Sequence, residues 1–106
     1  MPEVSLTEQA CRDIEDAHAW WAENRSAEQA DRWYRELVGR IVGLEEAPQR
    51  YGFAPENPHF PYEVRQLLFG LSSVPTHRVV FTIRPDQVLV LRVRHVAQRP
   101  LASDDV

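Results

Sequence analysis

Apolar positions along this chain change their period twice, and the changes divide it into helices and strands. From residue 8 to about 23, Ala10, Ile14, Ala17 and Trp21 fall on one stripe at helical spacing. Thr7 stands where an N-cap belongs, and Glu8 places a negative charge in the first turn, where it complements the helix dipole. Asn24 and Arg25 interrupt the run. A second helix is predicted from Ser26, which forms a Ser-x-x-Gln capping box with Gln29. Its apolar stripe is Ala30, Trp33, Leu37, Ile41 and Leu44, widened by Tyr34, Val38 and Val42, and Pro48 is expected to stop it. Two helices joined by so short a turn form an antiparallel hairpin.

Strand patterns flank the hairpin. Glu3-Val4-Ser5-Leu6 alternates polar and apolar and predicts a short strand. Further strands are predicted over residues 63–69, 77–84 and 88–95, the last two joined by Pro85-Asp86-Gln87. Between helices and strands, Pro48, Pro55, Pro58 and Pro61 forbid regular structure, while Tyr51, Phe53, Phe60 and Tyr62 supply anchors for an ordered crossover loop. The order specifies an α+β fold: an N-terminal strand and a helical hairpin packed on one face of a small, mainly antiparallel sheet. Residues 100–106 are expected to be frayed or ordered only by a partner.

A length of 106 residues with 43% apolar content fits one domain, residues 1–106, with a modest core. The lone Cys11 excludes an internal disulfide framework, and the first residues lack a secretory pattern, so a cytoplasmic protein is expected. No run approaches the roughly 18 apolar residues of a spanning helix, and membrane insertion is not expected. The four histidines lack ligand-like spacing, so neither a metal nor a cofactor is implied.

The net charge of −4 argues against a nucleic-acid partner until it is divided. Residues 1–48 carry five arginines and eleven acids, net −6, while residues 49–106 carry seven arginines and five acids, net +2. From Val64 to Arg99 six arginines face only Asp86, and a local basic face of that kind can hold an anion. All twelve basic residues are arginine, so no lysine is available for acid-base work. Alternation puts Val88, Val90, Arg92 and Arg94 on one side of the last strand, and Leu89, Leu91, Val93 and His95 on the other. Arg92 and Arg94 are therefore phosphate- or partner-binding candidates, with Arg78 and Arg65 on neighbouring strands as further members of the polar face.

The element order, the Glu63-Val64-Arg65-Gln66-Leu67-Leu68-Phe69-Gly70 strand, the His77-Arg78-Val79-Val80-Phe81 strand and the closing Val93-Arg94-His95 together resemble the RelE/ParE family of bacterial toxins. The resemblance covers nearly the whole chain. It implies the toxin half of a type II toxin-antitoxin pair, a class also described as plasmid stabilisation proteins. The implied partners are a cognate antitoxin, with which it would form a hetero-oligomer, and either DNA gyrase or a ribosome carrying mRNA. In the RNase branch, Arg65 and Arg78 match strand arginines that hold phosphate, and His95 matches the proton-transferring histidine that closes the last strand. Glu63 is a second acid-base candidate. Departures from that pattern are the absence of lysine, Val96-Ala97-Gln98 in place of a terminal aromatic, and His77 where relatives carry tyrosine. A gyrase-directed binder needs no acid-base pair, and a non-toxic member that keeps only partner binding is a further alternative. Trp20 and Trp21 lie about 100° apart on a helix, so one must leave the core. Trp20 and Trp33 are the candidates for an apolar groove that receives an antitoxin segment.

Overall fold

The computed structural model describes residues 3–106. Four strands, β1 (Glu3–Leu6), β2 (Arg65–Phe69), β3 (His77–Ile83) and β4 (Gln87–His95), form one sheet in the order β1-β4-β3-β2. β1 runs parallel to β4, and the other neighbours are antiparallel. The helices α1 (Glu8–Asn24) and α2 (Ala27–Val42) cover one face.

Capping chemistry sets where both helices begin. The Thr7 hydroxyl oxygen accepts the Ala10 N–H at 3.0 Å and donates to the Leu91 carbonyl at 2.8 Å, so one residue caps α1 and fastens it to β4. Ser26 caps α2 by accepting the Gln29 N–H at 3.0 Å. His18 and Asp31 tie the two helices together at 3.0 Å. α2 ends at Val42 rather than at Pro48. A 3₁₀ turn (Gly43–Glu45) follows it, and Ala47 turns the chain through a left-handed φ of 46° before Pro48 opens the next turn.

The core lies between the hairpin and the sheet. Ala10, Ile14, Trp33, Leu37, Ile41 and Leu44 pack on Leu67, Phe69, Val79, Phe81, Val88, Val90 and Val93. The helical stripes are thus the buried ones, while Tyr34 and Val42 stay exposed. On the opposite face the crossover loop lays Ala54, Phe60 and Val64 over Val80 and Leu91. The tail closes that second layer with Leu101, which is 3% exposed. This corrects the expectation of a frayed end: a buried leucine and a short turn (Ser103–Asp105) hold residues 100–106 on the sheet.

One irregularity controls which residues share a face. Val80 pairs with Arg92 and Phe81 with Val90, so Leu91 is an extra residue in β4. The bulge resets the alternation. Val93 joins Val88 and Val90 on the helix-facing side, while Leu89 and Leu91 pack on the second layer. The single unbroken alternation expected for β4 therefore holds only on either side of Leu91.

Candidate functional site

Arg78 and Arg94 are cross-strand partners on the face turned away from the helices. Arg78 is buried, and its guanidinium grips Glu56 through two nitrogens, one of them at 2.9 Å, and Gln66 at 3.2 Å. Glu56, itself 2% exposed, also accepts the Leu101 N–H at 2.8 Å. Burial alone would raise the Glu56 pKa, but the hydrogen bonds from Arg78 and Leu101 outweigh it and hold the carboxyl below the ordinary glutamate value. Arg78 thereby fastens crossover loop, sheet and tail to one another. Its fork is occupied within the protein.

Arg65 stands on the other face. It pairs with Phe81, whose ring belongs to the helix-facing core, and donates to the carbonyls of Gln49 at 3.2 Å and Tyr51 at 2.6 Å. Its guanidinium lies 4.4 Å from the Phe53 ring centroid. The expectation that Arg65 would join Arg78 on one polar face is corrected by this register.

Beyond the bulge, Arg92 makes a two-pronged ion pair with Asp13 of α1 and donates to the Asp105 carbonyl at 2.8 Å. Arg94 donates to the Arg99 carbonyl at 2.8 Å. Burial first, and then the neighbouring Arg92 and Arg99 charges, lower its pKa. Glu63 is exposed, and its carbonyl accepts the Thr82 hydroxyl at 2.8 Å.

His95 ends β4 opposite His77, and the two rings meet edge to face at 5.3 Å. His77 is buried against Trp33, whose ring centroid is 5.1 Å away. Burial, with the neighbouring His95, pushes the His77 pKa down to about 4, so this imidazole is neutral near pH 7. His95 is exposed. Its Nδ1 accepts the Ala97 N–H at 3.0 Å, which leaves the proton of the neutral ring on Nε2. Among the described residues no carboxylate hydrogen-bonds to His95.

Both histidines border a cleft of about 510 Å³ between α1 and the ends of β3 and β4, walled by Trp20, Trp21 and Val93, with Asp16 also lining it. Trp20 is 50% exposed and sits edge to face with Trp21 at 5.6 Å. Trp33 does not reach the cleft surface. It is fully buried in the core, which corrects its place in the expected groove. Among the described residues no group of three or more His, Cys, Asp or Glu side chains is placed to hold a metal ion, and no helix is long and apolar enough to cross a membrane.

Three residues central to this geometry escape sequence reading: Asp13, Glu56 and Asp105. Asp13 and Glu56 work through partners far away in sequence, 79 residues for Asp13 and Arg92 and 22 for Glu56 and Arg78, while Asp105 binds the nearby Arg99 as well as Arg92 of β4. A buried arginine demands a counter-charge, which was the available signal, but nothing in the sequence says which acid supplies it.

A helical hairpin on one face of a small mixed sheet, with arginines and a histidine on its final strands, defines the toxin fold class that the sequence resembles. A family model described as "ParE toxin of type II toxin-antitoxin system, parDE" matches residues 4–100, and the chain belongs to that family. Among solved structures, the chromosomal ParDE TA system from P. aeruginosa is similar to it with a TM-score of 0.74 at 18% identity, covering 91% of this chain and 97% of the other. The archaeal RelE-RelB complex from Pyrococcus horikoshii OT3 gives a TM-score of 0.48 at 14% identity, covering 92% and 98%. No curated protein matches the chain in sequence.

Proposed function

We propose that this chain is the growth-arresting toxin of a type II toxin-antitoxin pair, that it acts by binding DNA gyrase, and that a cognate antitoxin neutralises it. The family supports the toxin role. One observation supports a binder over an RNase: the residues that would have to converge on a scissile phosphate do not converge. Arg65 is on the helix-facing side of the sheet and Arg78 is on the other, its fork held by Glu56. His95 lies beside His77 on the helix-facing side, and among the described residues no carboxylate hydrogen-bonds to it. Cleavage through a 2′-hydroxyl needs a base, an acid and cations at one phosphate, within about 3 Å of the reacting atoms.

The antitoxin surface in this reading is the cleft beside Trp20, because a half-exposed tryptophan at the rim of a cleft is the kind of anchor that partner segments bury. The test is induction of the chain alone in bacterial cells. The expected result is growth arrest with filamentation and a DNA-damage response while transcripts stay intact. Arrest accompanied by transcript cleavage would assign the RNase activity instead, and harmless overexpression would remove the toxin role.

A further inference from the structure

The tail folds back over the end of β4, where Arg92, Arg94 and the following Arg99 lie, and oxygen atoms of residues 99–105 meet all three. The Asp105 carboxylate accepts both terminal nitrogens of Arg99, at 2.9 and 3.1 Å, and the Ala102 N–H at 2.8 Å. Arg92 reaches the Asp105 carbonyl, and Arg94 the Arg99 carbonyl, both at 2.8 Å. Arg92, Arg94 and Arg99 therefore gather beside Asp13 and Asp105, with Asp104 adding a more distant negative charge.

The arrangement is incomplete at one atom. Arg94 is 6% exposed, and its Nε has no hydrogen-bond partner. Buried guanidinium N–H groups are ordinarily met, because leaving one unmet forfeits its hydration. Asp105 does not meet it: its carboxylate accepts from Arg99 and Ala102 instead. A phosphate group brings more acceptor oxygens and up to two charges, and arginine forks match its geometry.

We infer that Arg92, Arg94 and Arg99 form a phosphate-binding site that the segment from Ala102 to Asp105 occupies when no ligand is bound. Asp13 acts as a positioning residue, holding Nε and one terminal nitrogen of Arg92 while the other terminal nitrogen points at the site. Leu101 is the fixed end of the segment, buried and tied to Glu56, and beyond it Val106 packs at the edge of the second layer, so release of the segment gives up that contact and leaves the buried cluster in place. The phosphate can be a free ion or part of a nucleic-acid backbone, and an acidic peptide is disfavoured because the carboxylate already present leaves Arg94 unmet. The inference is independent of which cellular target the protein has.

The experiment measures binding of inorganic phosphate by calorimetry, and of a short fluorescent single-stranded DNA by anisotropy, to the full chain, with folding checked by circular dichroism. Asp105→Asn removes the competing charge and is expected to tighten phosphate binding by about tenfold, in line with the strength of charge-assisted bonds. Adding Arg94→Gln to that variant is expected to return binding to the wild-type level or below. DNA binding that phosphate competes away assigns the site to a nucleic-acid backbone, and phosphate binding without DNA binding assigns it to the free ion. Unchanged phosphate affinity in folded Asp105→Asn, indifference to Arg94→Gln, or binding of an acidic peptide without phosphate would overturn the inference.

Discussion

Asp13 and Arg92 meet in a two-pronged ion pair, with Arg92 Nε at 2.7 Å and Nη2 at 3.0 Å from the two carboxylate oxygens. One of those oxygens also accepts the Val93 N–H at 3.0 Å. β1 pairs with β4 only as far as Val90, so beyond that point the strand has no neighbour on this side. The carboxylate of α1 takes the place of a strand there. Both side chains are less than one-fifth exposed, so the pair is only lightly screened by water.

Asp13→Ala is therefore expected to destabilise the protein by about 2 kcal/mol, combining a lost ion pair with an unmet backbone donor. In a double-mutant cycle with Arg92→Ala, urea denaturation should give a coupling of about 1 to 3 kcal/mol. Additive losses would show that the pair contributes nothing beyond its separate parts.

Glu56 and Arg78 are more deeply buried, and removing one leaves the other charge stranded. Glu56→Gln should cost about 3 to 5 kcal/mol, while Glu56→Gln with Arg78→Met should recover a large part of that loss. Because the Glu56 carboxyl is held below its ordinary value, its contribution is present above the unfolded glutamate pKa and is lost as pH falls below it. Denaturation midpoints of the single and double variants check the first point, and the acid limb of the stability curve checks the second.

His77 governs a higher pH window. Its folded pKa of about 4 lies below the unfolded value, so the unfolded chain binds the proton first as pH drops. Stability should fall by about 2 kcal/mol between pH 7 and 5, following a shift of that size. His77→Phe should flatten this slope whatever it does to absolute stability. An unchanged slope in urea titrations would place the titrating group elsewhere.

The tryptophans should separate cleanly. Trp33→Ala opens a cavity in the core beneath the sheet and is expected to cost about 3 to 5 kcal/mol, enough to leave little folded protein. Trp20→Ala should change stability by no more than about 0.5 kcal/mol, as at an exposed site, yet weaken antitoxin capture at least tenfold. Thermal unfolding and titration with the purified antitoxin measure the two effects.

Local signals carried the helices into view. Thr7 and Ser26 cap as their positions indicate, and the stripes through Ile14 and Leu37 are buried because spacing alone sets which face of a helix turns inward. The three-stranded meander was legible for the same reason. Its register was not. The bulge at Leu91 depends on how β4 meets β3, and no residue type marks it, so the face assignments beyond it needed the structure. The tail differs for a related reason: Ser103, Asp104 and Asp105 look like a solvated end, whereas in the fold Arg92 of β4 and the neighbouring Arg99 bind Asp105. The sequence presents Arg78 as a phosphate clamp, but its counter-ion sits 22 residues away in a proline-rich loop without periodicity.

The most direct measurement is supercoiling by purified DNA gyrase in the presence of the refolded chain. The account expects dose-dependent loss of supercoiling, relieved by equimolar antitoxin and retained in the folded His95→Ala variant, since no proton transfer at His95 is needed. Undiminished supercoiling, together with mRNA cleavage on ribosomes that His95→Ala abolishes, would contradict it.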